Sequence, residues 1–159
     1  MMHLCSDIIK QLSGKTLVTA ESCTGGWIGK ELTAIAGSSE VYKGGIICYT
    51  NFVKEQILGV DRDILKQHGA VSQETAGEMA RGVRDLLKAD ISISVTGLAG
   101  PGADEYGNAV GTVFIGCAKD NEVVVKEFHF SGDRDCVRKQ AVYEALKLVQ
   151  SMIKKEPTD

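Results

Sequence analysis

The stretch Thr19–Gly26, TAESCTGG, sets small hydroxyl residues and two glycines between a β-type run, Thr16–Ala20, and an apolar helical pattern. A strand that turns sharply into a helix exposes whatever sits on the turn. Glycines there let a substrate approach the backbone, and free N–H groups at a helix start attract an anion or a developing oxyanion. Ser22 is therefore a candidate nucleophile, placed much as on a strand-to-helix nucleophile elbow, although the stretch is not G-x-S-x-G. Backbone around Thr24, Gly25 and Gly26 would serve the oxyanion and the substrate. The ordinary alternative is a Ser/Thr helix cap with a glycine for close packing.

A serine nucleophile needs a base, and no Ser-His-Asp set accompanies this one. His3, His68 and His129 lie in unrelated settings, and none is paired at metal-ligand spacing. Lys54 follows a second apolar run, on the first turn of a short helix. A lysine serves as base when burial lowers its pKa; its ordinary alternative is a solvent-facing helix residue. Tyr49, at the end of the same run, could relay a proton or orient the lysine. The segment GLAGPGADEYGNAVG, Gly97–Gly111, is a long glycine-rich loop. Its N–H groups, those of Gly97 and Gly100 among them, could cradle a phosphate or an oxyanion. It is not a G-x-x-x-x-G-K-[ST] loop, and a mobile surface loop with solvated Asp104 and Glu105 is the alternative. Arg134, in SGDRD, could bind a phosphate or carboxylate bidentately, or simply sit exposed behind an Asp cap.

Elements must bring these residues together. Leu4, Ile8, Ile9 and Leu12 fit a helix ending at Gly14, and Ile28, Leu32 and Ile35 a second one closed by Gly37. Val41–Tyr49 reads as a strand in which Gly44-Gly45 marks a bulge or a close approach. Asn51 can cap a helix over 52–58, Asp61 or Arg62 starts another that stops at Gly69, and Ser72 caps a longer one. Ile91, Ile93 and Val95 alternate with Ser92, Ser94 and Thr96, a strand pattern. Val113–Ala118 and Glu122–Phe130 form a hairpin, and a last helix runs from Asp133–Asp135 to about Lys154. Helices and strands alternating early, with a hairpin late, predict an α/β fold: one three-layer α/β/α domain over 1–159 with a mixed, mostly parallel sheet. Ligands gather at the carboxyl ends of strands in such sheets. Ser22, Tyr49–Asn51 and Thr96–Gly102 all fall at such ends.

The 159 residues are 43% hydrophobic and 25% charged, with a net charge of −3. That composition suits a water-soluble globular domain and supplies no basic run for nucleic acid. Arg138–Gln140 and Lys154–Lys155 read as solvated helix faces. No run approaches the ~20 apolar residues of a membrane span, and the N-terminus does not read as a signal peptide. Five widely spaced cysteines without a C-x-x-C argue for a reducing compartment rather than a disulfide framework or a zinc site. Cys23 is expected to point into the core, opposite Ser22.

Several motifs occur in a telling order: TAESCTGG, AGSS at 36–39, YTNFVKEQILGV at 49–60, HGAVS at 68–72, the GLAGPG loop, VGTV at 110–113 and FSGDRDCVR at 130–138. Together they resemble the CinA C-terminal domain family, whose stand-alone members include nicotinamide-nucleotide amidases, over nearly the whole chain. The resemblance implies hydrolysis of the carboxamide of nicotinamide mononucleotide (NMN) in the cytoplasm by a serine–lysine mechanism, without metal or other cofactor, in a homo-oligomer. It implies that Ser22 is the nucleophile, that Lys54, Tyr49 and Thr96 complete the catalytic set, and that Arg134 helps hold substrate or order the site. The chain departs from the family in Asn108-Ala109, where a Lys-Pro is common, and in the 104–108 insert. An alternative is a non-catalytic module that senses pyridine nucleotides or binds a competence-associated partner.

Overall fold

The computed structural model describes residues 1–155. Five strands form one sheet: β1 (Leu17–Glu21), β2 (Tyr42–Ile47), β3 (Ile91–Gly97), β4 (Thr112–Lys119) and β5 (Glu122–His129), in the order β2-β1-β3-β4-β5. β1 pairs parallel with β2 and β3, whereas β4 pairs antiparallel with β3 and β5. Four strands thus point one way and β4 the other, as the late hairpin predicts. Six helices flank the sheet: α1 (Met2–Gln11), α2 (Trp27–Thr33), α3 (Asn51–Gln56), α4 (Arg62–His68), α5 (Gln73–Leu87) and α6 (Arg134–Lys154).

The apolar stripes sort these helices into layers. Ile8 of α1, Ile28 and Leu32 of α2, and Val137, Leu146 and Val149 of α6 pack on Leu17, Ile93 and Ile115 of one sheet face. Met79 and Val83 of α5 and Leu65 of α4 pack on Val18 and Ala20 of the other. The result is the three-layer α/β/α arrangement. The whole of β1 is buried because helices cover both of its faces.

β3 is covered in the same way, so its alternation does not separate core from solvent. Ser92 and Ser94 lie beneath α5 and donate to the carbonyls of Ala80 (2.6 Å) and Ala76 (2.7 Å). Gly116 of β4 permits this approach, since a Cβ there would stand 2.6 Å from Ser94 Oγ and 2.8 Å from Ala76 O. In β2, the register with β1 slips between Leu17, which pairs with Tyr42, and Val18, which pairs with Gly44, so Lys43 is the extra residue before Gly44, and Gly45 lies close against Thr19. Both readings of the Gly-Gly pair therefore hold. Helix ends differ little from expectation: Thr50 rather than Asn51 caps α3, while Asp61, Ser72 and Asp133 cap α4, α5 and α6.

Candidate active site

Ser22 stands directly after β1, its N–H bonded to Val95 O of β3 at 3.0 Å. The turn closes when Gly25 N–H donates to Ser22 O (3.1 Å) and Trp27 N–H to Thr24 O (3.1 Å). Gly25 (φ 58°) and Gly26 (φ 99°) take left-handed backbone, which a residue with a Cβ would resist. This is why the turn needs its glycine pair, whatever their part in substrate binding.

The α2 amides are not free for an anion, contrary to the expectation from sequence. Glu21 is buried, and its carboxylate accepts from Ile28 N (2.8 Å), Gly29 N (3.1 Å) and Thr24 Oγ1 (2.8 Å). The protein supplies its own anion to the helix N-terminus. Thr24 is fully buried, and the Gly25 amide is spent on Ser22 O. Of the backbone amides on this turn, that of Cys23 is the one adjacent to Ser22. That amide bonds no other residue among those described, and Cys23 lines the cavity in front of Ser22.

Glu21 was missed in the sequence, although a carboxylate one residue before the serine and a few before a helix is a recognisable capping signal. Glu21→Ala should leave one buried and one part-buried amide unpaired, at ~1–3 kcal/mol each. We expect a stability loss of about 2–4 kcal/mol in urea unfolding; a loss below ~0.5 kcal/mol would show that the staple carries no weight.

Lys54 reaches the same turn from α3. It is 1% exposed, with Nζ 3.0 Å from Ser22 Oγ and 2.7 Å from Cys48 O. No carboxylate pairs with it among the described residues. Burial pulls its pKa below the ordinary lysine value. Thiolates at Cys48 and Cys23 would oppose that shift, but burial pushes both thiols up to about 11, so near neutral pH they carry no charge. Cys23 lies in the core as expected, and the Ser22 hydroxyl is the group that meets the lysine. All five cysteines are free.

Ser22 and Lys54 open into a cavity of about 630 Å³ at the carboxyl ends of β1, β2 and β3, a volume within the range of small-molecule sites. Tyr49, Thr96, Gly97, Gly100 and Arg134 also line it. Neither Tyr49 nor Thr96 hydrogen-bonds Lys54 directly. Thr96 Oγ1 donates to Ala70 O (2.7 Å). Tyr49 is 60% exposed, and its hydroxyl accepts from Arg134 Nη2 (3.2 Å). Arg134 Nη1 also donates to Gly100 O (2.6 Å), so this arginine ties together three segments of the cavity rim.

The glycine-rich loop is anchored rather than loose. Tyr106 Oη reaches Leu65 O (3.1 Å) and Lys66 O (3.0 Å) at the end of α4. Asp104, far from being merely solvated, accepts from the backbone of Tyr106 and Asn108 and from Asn108 Nδ2. Asn108 Nδ2 also donates to Val71 O (3.1 Å), so the departure at Asn108 acts in holding the loop. Gly97 is required by packing, because a Cβ would lie 2.6 Å from Val113 Cγ2 and 2.8 Å from Thr112 O.

Arg138 corrects another reading. It is no solvated face: Nε donates to Cys23 O (2.9 Å), Nη2 reaches Thr24 O (3.3 Å), and the guanidinium stacks 5.3 Å from the Trp27 ring centre. Among the described residues no cluster of three or more His, Cys, Asp or Glu could hold a metal ion, and no helix is long and apolar enough to cross a membrane.

Residues 2–153 match the family model of the CinA C-terminal domain. A CinA-like protein of Thermotoga maritima is 42% identical over 140 residues, covering 88% of this chain and 34% of that protein. A Bacillus subtilis relative named for competence-damage induction is 41% identical over 157 residues, covering 95% of this chain and 38% of its own length. The chain spans about a third of the length of the curated relatives it matches. Among solved structures, the competence or damage-inducible protein of Enterobacter asburiae superposes with a TM-score of 0.94 at 35% identity, covering 96% of this chain and 98% of that one. In sequence and in fold, this chain belongs to the CinA C-terminal domain family.

Proposed function

We propose that the chain is an amidohydrolase that converts NMN to nicotinic acid mononucleotide and ammonia. The observation that carries this reading is the 3.0 Å contact between Ser22 Oγ and Lys54 Nζ, made by a lysine buried without a counter-charge. That is the pairing a serine–lysine acyl transfer needs. Neutral Lys54 takes the Ser22 proton as Oγ bonds to the carboxamide carbon. In this reading the Cys23 N–H donates to the oxygen that becomes negative. Lys54 returns the proton to the departing nitrogen, the C–N bond breaks and ammonia leaves. Water then attacks the acyl-serine, gives its proton through Lys54 to Ser22 Oγ, and frees the carboxylate product.

The choice of NMN rests on the family resemblance and on two features of the cavity: its size and the Arg134 guanidinium at its rim. A charge-assisted contact to the 5′-phosphate contributes about 1.5–3 kcal/mol. Nicotinamide riboside, which lacks that phosphate, should accordingly show kcat/KM lower by roughly 10–100-fold. The test is ammonia release from NMN, nicotinamide riboside, nicotinamide and NAD by the purified protein. Strong preference for NMN supports the reading. Equal turnover of the riboside would remove the phosphate contact. Saturable NMN binding with no ammonia would replace the amidase by a nucleotide-sensing module.

A further inference from the structure

An oxyanion donor is only as good as its aim, and the Cys23 amide sits on a turn with two left-handed glycines. Something must hold that turn. Its carbonyls lead outward in a chain. Arg138 Nη2 reaches Thr24 O (3.3 Å), which belongs to the same peptide plane as the Gly25 N–H. The Gly25 N–H donates to Ser22 O (3.1 Å), which belongs to the same plane as the Cys23 N–H. Arg138 Nε meanwhile holds Cys23 O, the next carbonyl along, at 2.9 Å. In a trans peptide C=O and N–H point in opposite directions. A cation fixed behind Thr24 O therefore orients two successive planes, and the last of them ends at the amide beside Ser22.

The same chain carries charge as well as direction. Each hydrogen bond in a series polarises the next, so a guanidinium at one end makes the N–H at the other a stronger donor. Arg138 is itself held for this work: it packs against Trp27 and lies 3.7 Å from Asp135. Trp27 in turn bonds Glu31 through Nε1 at 2.8 Å.

We propose that Arg138 is a positioning residue that aims and polarises the Cys23 amide as the oxyanion donor for Ser22 chemistry. The inference rests on Ser22 being the nucleophile proposed above, but not on the identity of the amide substrate. Its test is accordingly a substrate-independent one. A fluorophosphonate probe reacts when Ser22 Oγ bonds to phosphorus, the P–F bond breaks, fluoride leaves with the electron pair and the serine proton passes to Lys54. The phosphoryl oxygen then occupies the oxyanion site.

Deleting a donor outright costs roughly 100–1000-fold, and misaiming one should cost a part of that. Arg138→Gln is expected to label about 10–100-fold more slowly than wild type. Arg138→Lys, which keeps a positive donor against the same carbonyls, should be intermediate. With NMN, kcat should fall in step with labelling while KM changes less than about threefold. Labelling of Arg138→Gln at the wild-type rate would overturn the proposal. So would a loss carried by KM, a loss in both variants that merely follows their melting temperatures, or a wild type that the probe does not label at Ser22. Labelling that behaves as expected in a protein that releases no ammonia from NMN would refute the amidase reading alone.

Discussion

Ser22→Ala is expected to lower NMN hydrolysis by at least about 1000-fold while leaving the protein folded and able to bind NMN. The Ser22 side chain contributes little to the fold: it is largely buried against the cavity, and its hydroxyl accepts from Lys54 Nζ at 3.0 Å. Removing the hydroxyl leaves Lys54 its second acceptor, Cys48 O at 2.7 Å. The cost to stability should stay within about 1 kcal/mol. The proposed route, in contrast, has no covalent intermediate without Ser22 Oγ, and neighbouring thiols do not replace it. Cys23 is buried with its thiol raised to about 11, so the thiolate that would attack is scarce at neutral pH. Three readings on one preparation decide the matter: ammonia release, NMN affinity by calorimetry, and a thermal melt. Full turnover by the variant would reject Ser22 as nucleophile. Lost binding together with lost turnover would assign Ser22 to substrate recognition instead.

How much of this site can be read from residues alone depends on whether a signal is local. The Ser22 turn is legible because strand pattern, small hydroxyl residues and paired glycines are adjacent in sequence. The α4, α5 and α6 caps are legible for the same reason, since Asp61, Ser72 and Asp133 act on amides two or three residues ahead. Burial of Lys54 is not local. It follows from α3 folding back so that Nζ meets residues 6 and 32 positions earlier in the chain. Arg138 lies more than a hundred residues from the carbonyls it holds, and its neighbours on α6 resemble any solvated helix face. Tyr49 and Thr96 are half legible: chain position brings both to the cavity, whereas the partners of their hydroxyls, Arg134 and Ala70, are distant in sequence. In β3, alternation names a strand correctly yet says nothing of a second helix layer whose carbonyls accept from the serines.

Lys54 should show the conflict between stability and activity most clearly. Lys54→Arg is expected to lose at least about 1000-fold in rate, because arginine stays protonated and cannot accept the Ser22 proton. Lys54→Met, of similar length, should be equally inactive but more stable at neutral pH, on the order of 1 kcal/mol, since it buries no charge. The sign follows from linkage. Burial lowers the lysine pKa in the folded state, so between that value and the unfolded value near 10.4 the unfolded chain binds more protons. Wild-type stability therefore rises with pH through this window, while below the folded pKa the penalty of a buried ammonium is present in full. The stability difference between wild type and Lys54→Met should narrow as pH rises through the same window. Activity should follow the same titration from the other side. The logarithm of kcat/KM should climb with unit slope below the folded pKa and level off above it, at a pH lower than an ordinary lysine would give. Melting curves of wild type and Lys54→Met across pH, beside the pH–rate profile, test both at once. A flat rate profile, or an active Lys54→Arg, would remove Lys54 as the base; a Lys54→Met protein less stable than wild type at every pH would mean that its bonds to Ser22 and Cys48 outweigh the cost of its burial.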